Sequence, residues 1–151
     1  MTSLSAEESL NYLYSHVAKG VKFGLNNIST VLKELGDPQD KTSSIHIAGT
    51  NGKGSTAAFC ESILRNAGYR VGLYTSPHLI HFSERIQVNR SPLPEKEMIS
   101  LISKIKSIVE KFKIPITFFE FGTAMAFLHF SEQKTDINVI EVGMGGRLDA
   151  T

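Results

Sequence analysis

Ile45-His46-Ile47-Ala48-Gly49-Thr50-Asn51-Gly52-Lys53-Gly54-Ser55-Thr56 is the stretch on which the fold turns. Its first part, Ser44 to Ala48, is a short apolar, partly β-branched run of the kind that forms a buried strand, and it ends at Gly49. From Lys53 to Ala67 the period becomes helical, with Ala57, Cys60, Ile63, Leu64 and Ala67 expected on one inward face and Gly68 as the stop. A second strand is predicted at Arg70 to Tyr74. This completes a strand–helix–strand unit with parallel strands and a right-handed crossover. Between strand and helix, glycines let the chain turn tightly and expose successive N–H groups, and the helix N-terminus adds roughly half a positive charge. Gly49, Thr50, Asn51, Gly52, Lys53, Gly54, Ser55 and Thr56 are therefore read as a phosphate cradle, with Lys53 as the mobile cation.

The strict P-loop spacing is not met. Its first glycine position is Ile47, and Gly54 stands where a Ser or Thr normally follows the lysine. The hydroxyl that would meet a metal at that position is therefore expected from Ser55 or from another loop.

Working outward, a helix is predicted over Ser5 to Val17, where Ser5 caps an acidic first turn. A second runs from Asn27 to Leu35 and is stopped by Gly36 and Asp37-Pro38. Beyond Tyr74 come an irregular stretch to Phe82 and a strand-like Arg85 to Val88. Helices follow near Glu95–Phe112 and Glu120–Gln133, separated by Ile114-Pro115. Asp136 to Val142 is a last buried strand, followed by Gly143-Met144-Gly145-Gly146. The expected class is α/β with a mainly parallel sheet in Rossmann-like layers. Residues 1–40 form an N-terminal helical extension and residues 41–151 a nucleotide-binding domain.

Composition narrows the function. The chain has 151 residues, 41% hydrophobic, and sixteen Lys+Arg against fifteen Asp+Glu leave a net charge of +1. No global field favours nucleic acid or an anionic membrane, so an anion is held by local geometry. The single Cys60 cannot close an intramolecular disulfide, and no signal peptide or membrane span is read in Met1 to Gly20. A cytoplasmic protein is expected. His78 and His81 are three residues apart, but no further ligand completes a zinc set. Glu141 ends a buried strand, where ligands bind in open α/β sheets, and a carboxylate there can reach a metal.

Four blocks then occur in order: the Ile45–Ser55 stretch; Tyr74-Thr75-Ser76-Pro77-His78-Leu79 with Glu84-Arg85-Ile86; Phe118-Phe119-Glu120-Phe121-Gly122-Thr123; and Glu141-Val142-Gly143-Met144-Gly145-Gly146-Arg147-Leu148-Asp149-Ala150-Thr151. Together with Leu35-Gly36-Asp37-Pro38-Gln39 they resemble the folylpolyglutamate and dihydrofolate synthases of the Mur ligase superfamily. The resemblance implies an ATP-dependent ligase that joins L-glutamate to dihydropteroate or tetrahydrofolate through an acyl phosphate. It implies Lys53 and Glu141 as catalytic residues, and Ser76 with Glu141 as holders of Mg²⁺. Phe119, Glu120, Phe121, Gly122, Leu148, Asp149 and Ala150 are implied as parts of the pterin pocket.

A monomer without nucleic-acid or membrane partners is expected. Family members are much longer. A later metal-ligand histidine, a carbamylated lysine and the C-terminal glutamate-binding domain fall outside the chain, so an inactive ATP-binding fragment is expected. A sister Mur-type amino acid ligase and a non-enzymatic nucleotide-binding module are the other open readings.

Overall fold

The computed structural model describes residues 5–20 and 24–151. Residues 1–4 and 21–23 of the expected N-terminal extension lie outside them. The helices are α1 (Ala6–Tyr14), α2 (Asn26–Glu34), α3 (Lys53–Asn66), α4 (Glu95–Phe112) and α5 (Phe118–Glu132). The strands are β1 (Ser44–Ile47), β2 (Val71–Tyr74), β3 (Ile86–Val88), β4 (Ser91–Pro92) and β5 (Ile137–Glu141).

They form one sheet in the order β1-β5-β2-β3-β4, parallel among β1, β5 and β2 and antiparallel at β3 and β4. The strand–helix–strand unit is present, but β1 and β2 do not pair. β5, which follows more than sixty residues after β2 in the chain, is inserted between them. In register, Ile47 lies opposite Glu141 and Tyr74 opposite Ile140.

The two-residue period of the strands sorts the core into layers. Ile47, Val71, Leu73 and Val139 point to the α3 side and pack with Ala57. Tyr74 and Ile140 point to the other side, onto α5 and beyond it α1, α2 and α4. Every residue of α5 from Glu120 to Phe130 is buried, because this helix is covered by the sheet on one side and by helices on the other. The N-terminal helices share this core through Leu13, Ile28, Val31 and Leu32.

Local signals set the helix ends. Ser5 and Glu8 form a reciprocal capping box on α1 (3.1 and 2.8 Å), and Thr117 and Glu120 form another on α5 (3.2 and 2.8 Å). The α5 cap moves the helix start two residues ahead of the expected Glu120. On α3 the expected inward face is corrected at Ile63, which is 69% exposed, and at Ala67, which is exposed at the C-cap, whereas Glu61 is fully buried. Glu61 Oε1 accepts from Arg65 Nε at 3.0 Å, and Arg90 Nε of the β3–β4 turn lies 3.6 Å from Oε2. A helical face counted by hydrophobicity alone misses a carboxylate that two guanidinium groups draw inward. Among the described residues no helix is long and apolar enough to cross a membrane.

His129 is buried on α5, with its Nδ1 3.2 Å from Glu97 Oε2. Burial holds its pKa below the ordinary histidine value, with Arg70 acting in the same sense and Glu97 and Glu132 against it. The neutral ring is thus favoured in the folded state, so stability is retained above the unfolded-state pKa of about 6.5 and lost as pH falls below it. Thermal unfolding measured between pH 7.5 and 5 is expected to show a smaller acid-induced loss in His129→Gln than in the unmodified protein. An equal loss in both would contradict this.

Candidate active site

The carboxyl ends of β1, β5 and β2 lie side by side, so the loops that leave them meet. From β1 the chain turns through Gly49, Thr50, Asn51 and Gly52 into α3. Gly52, at φ 76°, is the residue before the helix, a left-handed conformation that glycine adopts without steric cost. No side chain caps α3. Among the described residues, the N–H groups of Lys53, Gly54 and Ser55 find no protein acceptor, and the first closed bond is Thr56 N to Gly52 O at 2.9 Å. Those open donors and the helix dipole suit an anion. Lys53 Nζ folds back on Gly49 O at 3.0 Å and can swing outward, while the Thr56 hydroxyl is spent on Gly52 O at 3.0 Å. Ser55 is exposed.

Glu141, at the end of β5, stands between this loop and the one that follows β2. It is 5% exposed, its Oε2 accepts the Ser76 N–H at 3.0 Å, and Oε1 faces Gly54, 3.6 Å from where a Cβ would stand. Gly54 therefore leaves the carboxylate open to the cradle, and Ser76 is held beside it through its main-chain N–H. One carboxylate with a neighbouring serine is a donor set that fits Mg²⁺, which takes few protein carboxylates.

Ser76 and Pro77 also border a cavity of about 490 Å³, lined among others by Arg85, Thr117, Phe119, Glu120, Leu148, Asp149 and Ala150. The Glu120 carboxylate is buried beneath it. Its Oε2 accepts from Thr117 N, and its Oε1 has no hydrogen-bond partner among the described residues. Asp149 is differently employed. Its carboxylate takes Met144 N (2.8 Å), Thr151 N (3.1 Å) and the Thr151 hydroxyl (2.6 Å), which folds the glycine-rich loop onto itself.

Phe121 and Gly122 do not line the cavity. Phe121 is fully buried against Tyr12 and His16 of the α1 region, and Gly122 sits under Tyr74 and Phe82. A helix turns by about 100° per residue, so adjacent residues cannot all share one wall. Arg147 is exposed and makes no ion pair among the described residues.

Two polar side chains that line the cavity, Thr117 and Arg85, are not among the expected pocket residues. Thr117 was legible, since Thr-x-x-Glu is a capping signature. Arg85 stands in the Glu84-Arg85-Ile86 part of the second block, but nothing in the local pattern gives it a place in the cavity. It is 8% exposed, donates from Nε to His78 Nδ1 at 2.8 Å, and lies over the rings of Phe82 and Phe118 at 5.9 and 5.2 Å. Burial first, and then the Arg85 charge, hold the His78 pKa below its usual value.

No protein-family model matches the chain. It is 42% identical over 151 residues to the dihydrofolate synthase/folylpolyglutamate synthase of Bacillus subtilis, covering 96% of the chain and 35% of that protein. The crystal structure of folylpolyglutamate synthase from Thermotoga maritima superposes with a TM-score of 0.90 at 46% identity, covering 96% of this chain and 34% of that one. The chain belongs to the folylpolyglutamate/dihydrofolate synthase family. It spans about a third of the length of the relatives just described. Another synthase structure, an FPGS–AMPPCP–folate complex, superposes at a TM-score of 0.89 and 34% identity over 98% of this chain and 37% of its own.

In this synthase-family site, one glycine is required by close approach. A Cβ on Gly143 would stand 2.5 Å from Phe119 Cζ. Gly143→Ala is expected to destabilise the protein by about 1–3 kcal/mol in chemical denaturation. Gly146→Ala, whose new methyl would meet Ala48 Cβ at 3.9 Å, should change it by less than about 0.5 kcal/mol. Equal effects would show that the Phe119 ring is not wedged against the loop.

Proposed function

We propose that the protein forms the nucleotide- and acceptor-binding part of an ATP-dependent ligase that joins L-glutamate to the carboxylate of a dihydropteroate or folate. The observation that carries this reading is the shared border at Ser76. On one side lies an anion cradle with Lys53 and Glu141, and on the other a cavity walled by the Phe119 ring, with the buried oxygen of Glu120 beneath it. A flat heterocycle bearing N–H donors satisfies that oxygen and packs on the ring. Its carboxylate arm then points toward the triphosphate.

A free carboxylate does not react with an amine until it is activated. In the proposed reaction a carboxylate oxygen attacks the γ-phosphorus of ATP and ADP leaves, giving an acyl phosphate. The glutamate nitrogen then attacks the acyl carbon, an amide forms, phosphate leaves, and the nitrogen loses a proton. The contribution of this chain is to position and to balance charge. The N–H groups of Lys53, Gly54 and Ser55 hold phosphate oxygens, and Lys53 Nζ leaves Gly49 O to follow the charge on the transferring group. The Glu141 carboxylate and the Ser76 hydroxyl would hold Mg²⁺, which when bound neutralises phosphate charge. Leu148 and Ala150 close the cavity, and Asp149 keeps their loop in shape. In domain terms, residues 41–151 carry the nucleotide site, and α1 and α2 of the N-terminal extension brace α4 and α5.

ADP release by the full-length protein expressed from its gene tests the proposal. It is expected to require both dihydropteroate (or tetrahydrofolate) and L-glutamate. Lys53→Ala should lower kcat by about 100-fold or more, with thermal stability kept. Nucleotide turnover indifferent to both acceptor and glutamate would contradict the ligase reading.

A further inference from the structure

We propose that Arg85 contacts the substrate, donating from the open end of its guanidinium to an oxygen acceptor of the molecule bound in the 490 Å³ cavity, and so fixes its pose. The inference rests on the ligase reading given above and adds to it a residue that determines how the acceptor is held.

Arg85 is a buried cation that lines this cavity, yet no carboxylate forms an ion pair with it among the described residues. The nearby acid in sequence, Glu84, is turned away. Its carboxylate accepts the N–H groups of Leu79, Ile80 and His81 at 2.9, 3.1 and 2.7 Å and is committed to that loop. A guanidinium withdrawn from water without an anionic partner is costly unless its N–H donors are satisfied. Nε donates to the uncharged Nδ1 of His78, and the guanidinium also hydrogen-bonds the neutral Tyr74 hydroxyl; no charged acceptor meets its remaining donors among the described residues.

That bond and the two rings fix the plane of the fork from three separate elements: the loop after β2, the turn before β3, and the start of α5. A fork held this firmly loses little entropy when it donates again, which suits recognition of an oxygen. Glu120 offers the same cavity an acceptor without a donor. The two together match a ligand with N–H donors on one edge and an oxygen on another. That oxygen is either the ring carbonyl or the carboxylate of the arm, and the experiment separates them.

The test is calorimetric binding to the full-length protein and its Arg85→Met and Arg85→Lys variants, using dihydropteroate, 6-hydroxymethyl-7,8-dihydropterin as a ring without the arm, and a non-hydrolysable ATP analogue with Mg²⁺. Arg85→Met is expected to weaken dihydropteroate about 10-fold or more, and Arg85→Lys, which keeps the charge but not the fork, should recover only part. ATP-analogue affinity should stay within about 2-fold. Equal weakening of the ring-only ligand assigns the contact to the ring carbonyl, and weakening confined to dihydropteroate assigns it to the carboxylate; both uphold the proposal.

Unchanged dihydropteroate affinity in both variants overturns it, as does a parallel loss of ATP-analogue binding, which would mark Arg85 as merely structural. Should Arg85→Met fail to fold, Arg85→Lys alone decides on the same readings. Failure of the unmodified protein to bind either dihydropteroate or tetrahydrofolate would instead overturn the ligase reading itself.

Discussion

The insertion of β5 between β1 and β2 is the constraint from which the site follows. Three parallel strands end together, and the middle one ends in Glu141. Its carboxylate is thereby set between a loop with unspent N–H groups and a loop that offers Ser76. A near-buried carboxylate is expensive without partners, and here one main-chain N–H and an open side toward Gly54 keep it in place. Had β1 and β2 paired directly, as their succession in sequence invites, the strand that carries Glu141 would have been displaced to an edge.

A second theme is the division of labour among charged groups around the cavity. Glu84 and Asp149 spend their oxygens on main-chain N–H groups and hold loops in shape. Glu120 spends one oxygen on capping α5 and keeps the other free, while Arg85 spends donors only on the neutral His78 and Tyr74 and meets no carboxylate among the described residues. Groups with every partner satisfied stabilise; groups left partly unsatisfied in a cavity are the ones with capacity for a ligand. Lys53 belongs with the latter, since a single bond to Gly49 O restrains it.

Much of this was legible in the residues. The strand, glycine loop and helix at 44–67 were readable because period, glycine punctuation and hydroxyl clustering agree. The four ordered blocks pointed to the synthase family, and Glu141 was marked by its place at a strand end. What the sequence did not disclose depends on contacts distant along the chain. The place of β5 depends on sheet order, which no local pattern encodes. Phe119 to Gly122 looked like one wall, yet the helix sends Phe119 and Glu120 to the cavity and Phe121 and Gly122 to the core. Glu61 is buried where Ile63 was expected because Arg90, distant along the chain, joins the local pair with Arg65 only on folding. Arg85 is hidden for the same reason, its neighbours His78, Phe82 and Phe118 being a product of the fold.

The most direct measurement is an amide nitrogen–proton NMR titration of the protein with Mg²⁺ and ATP. The largest shifts and the greatest gain in exchange protection are expected on Lys53, Gly54 and Ser55, with Ser76 following. Saturable nucleotide binding that leaves those amides unmoved and perturbs another surface would contradict it.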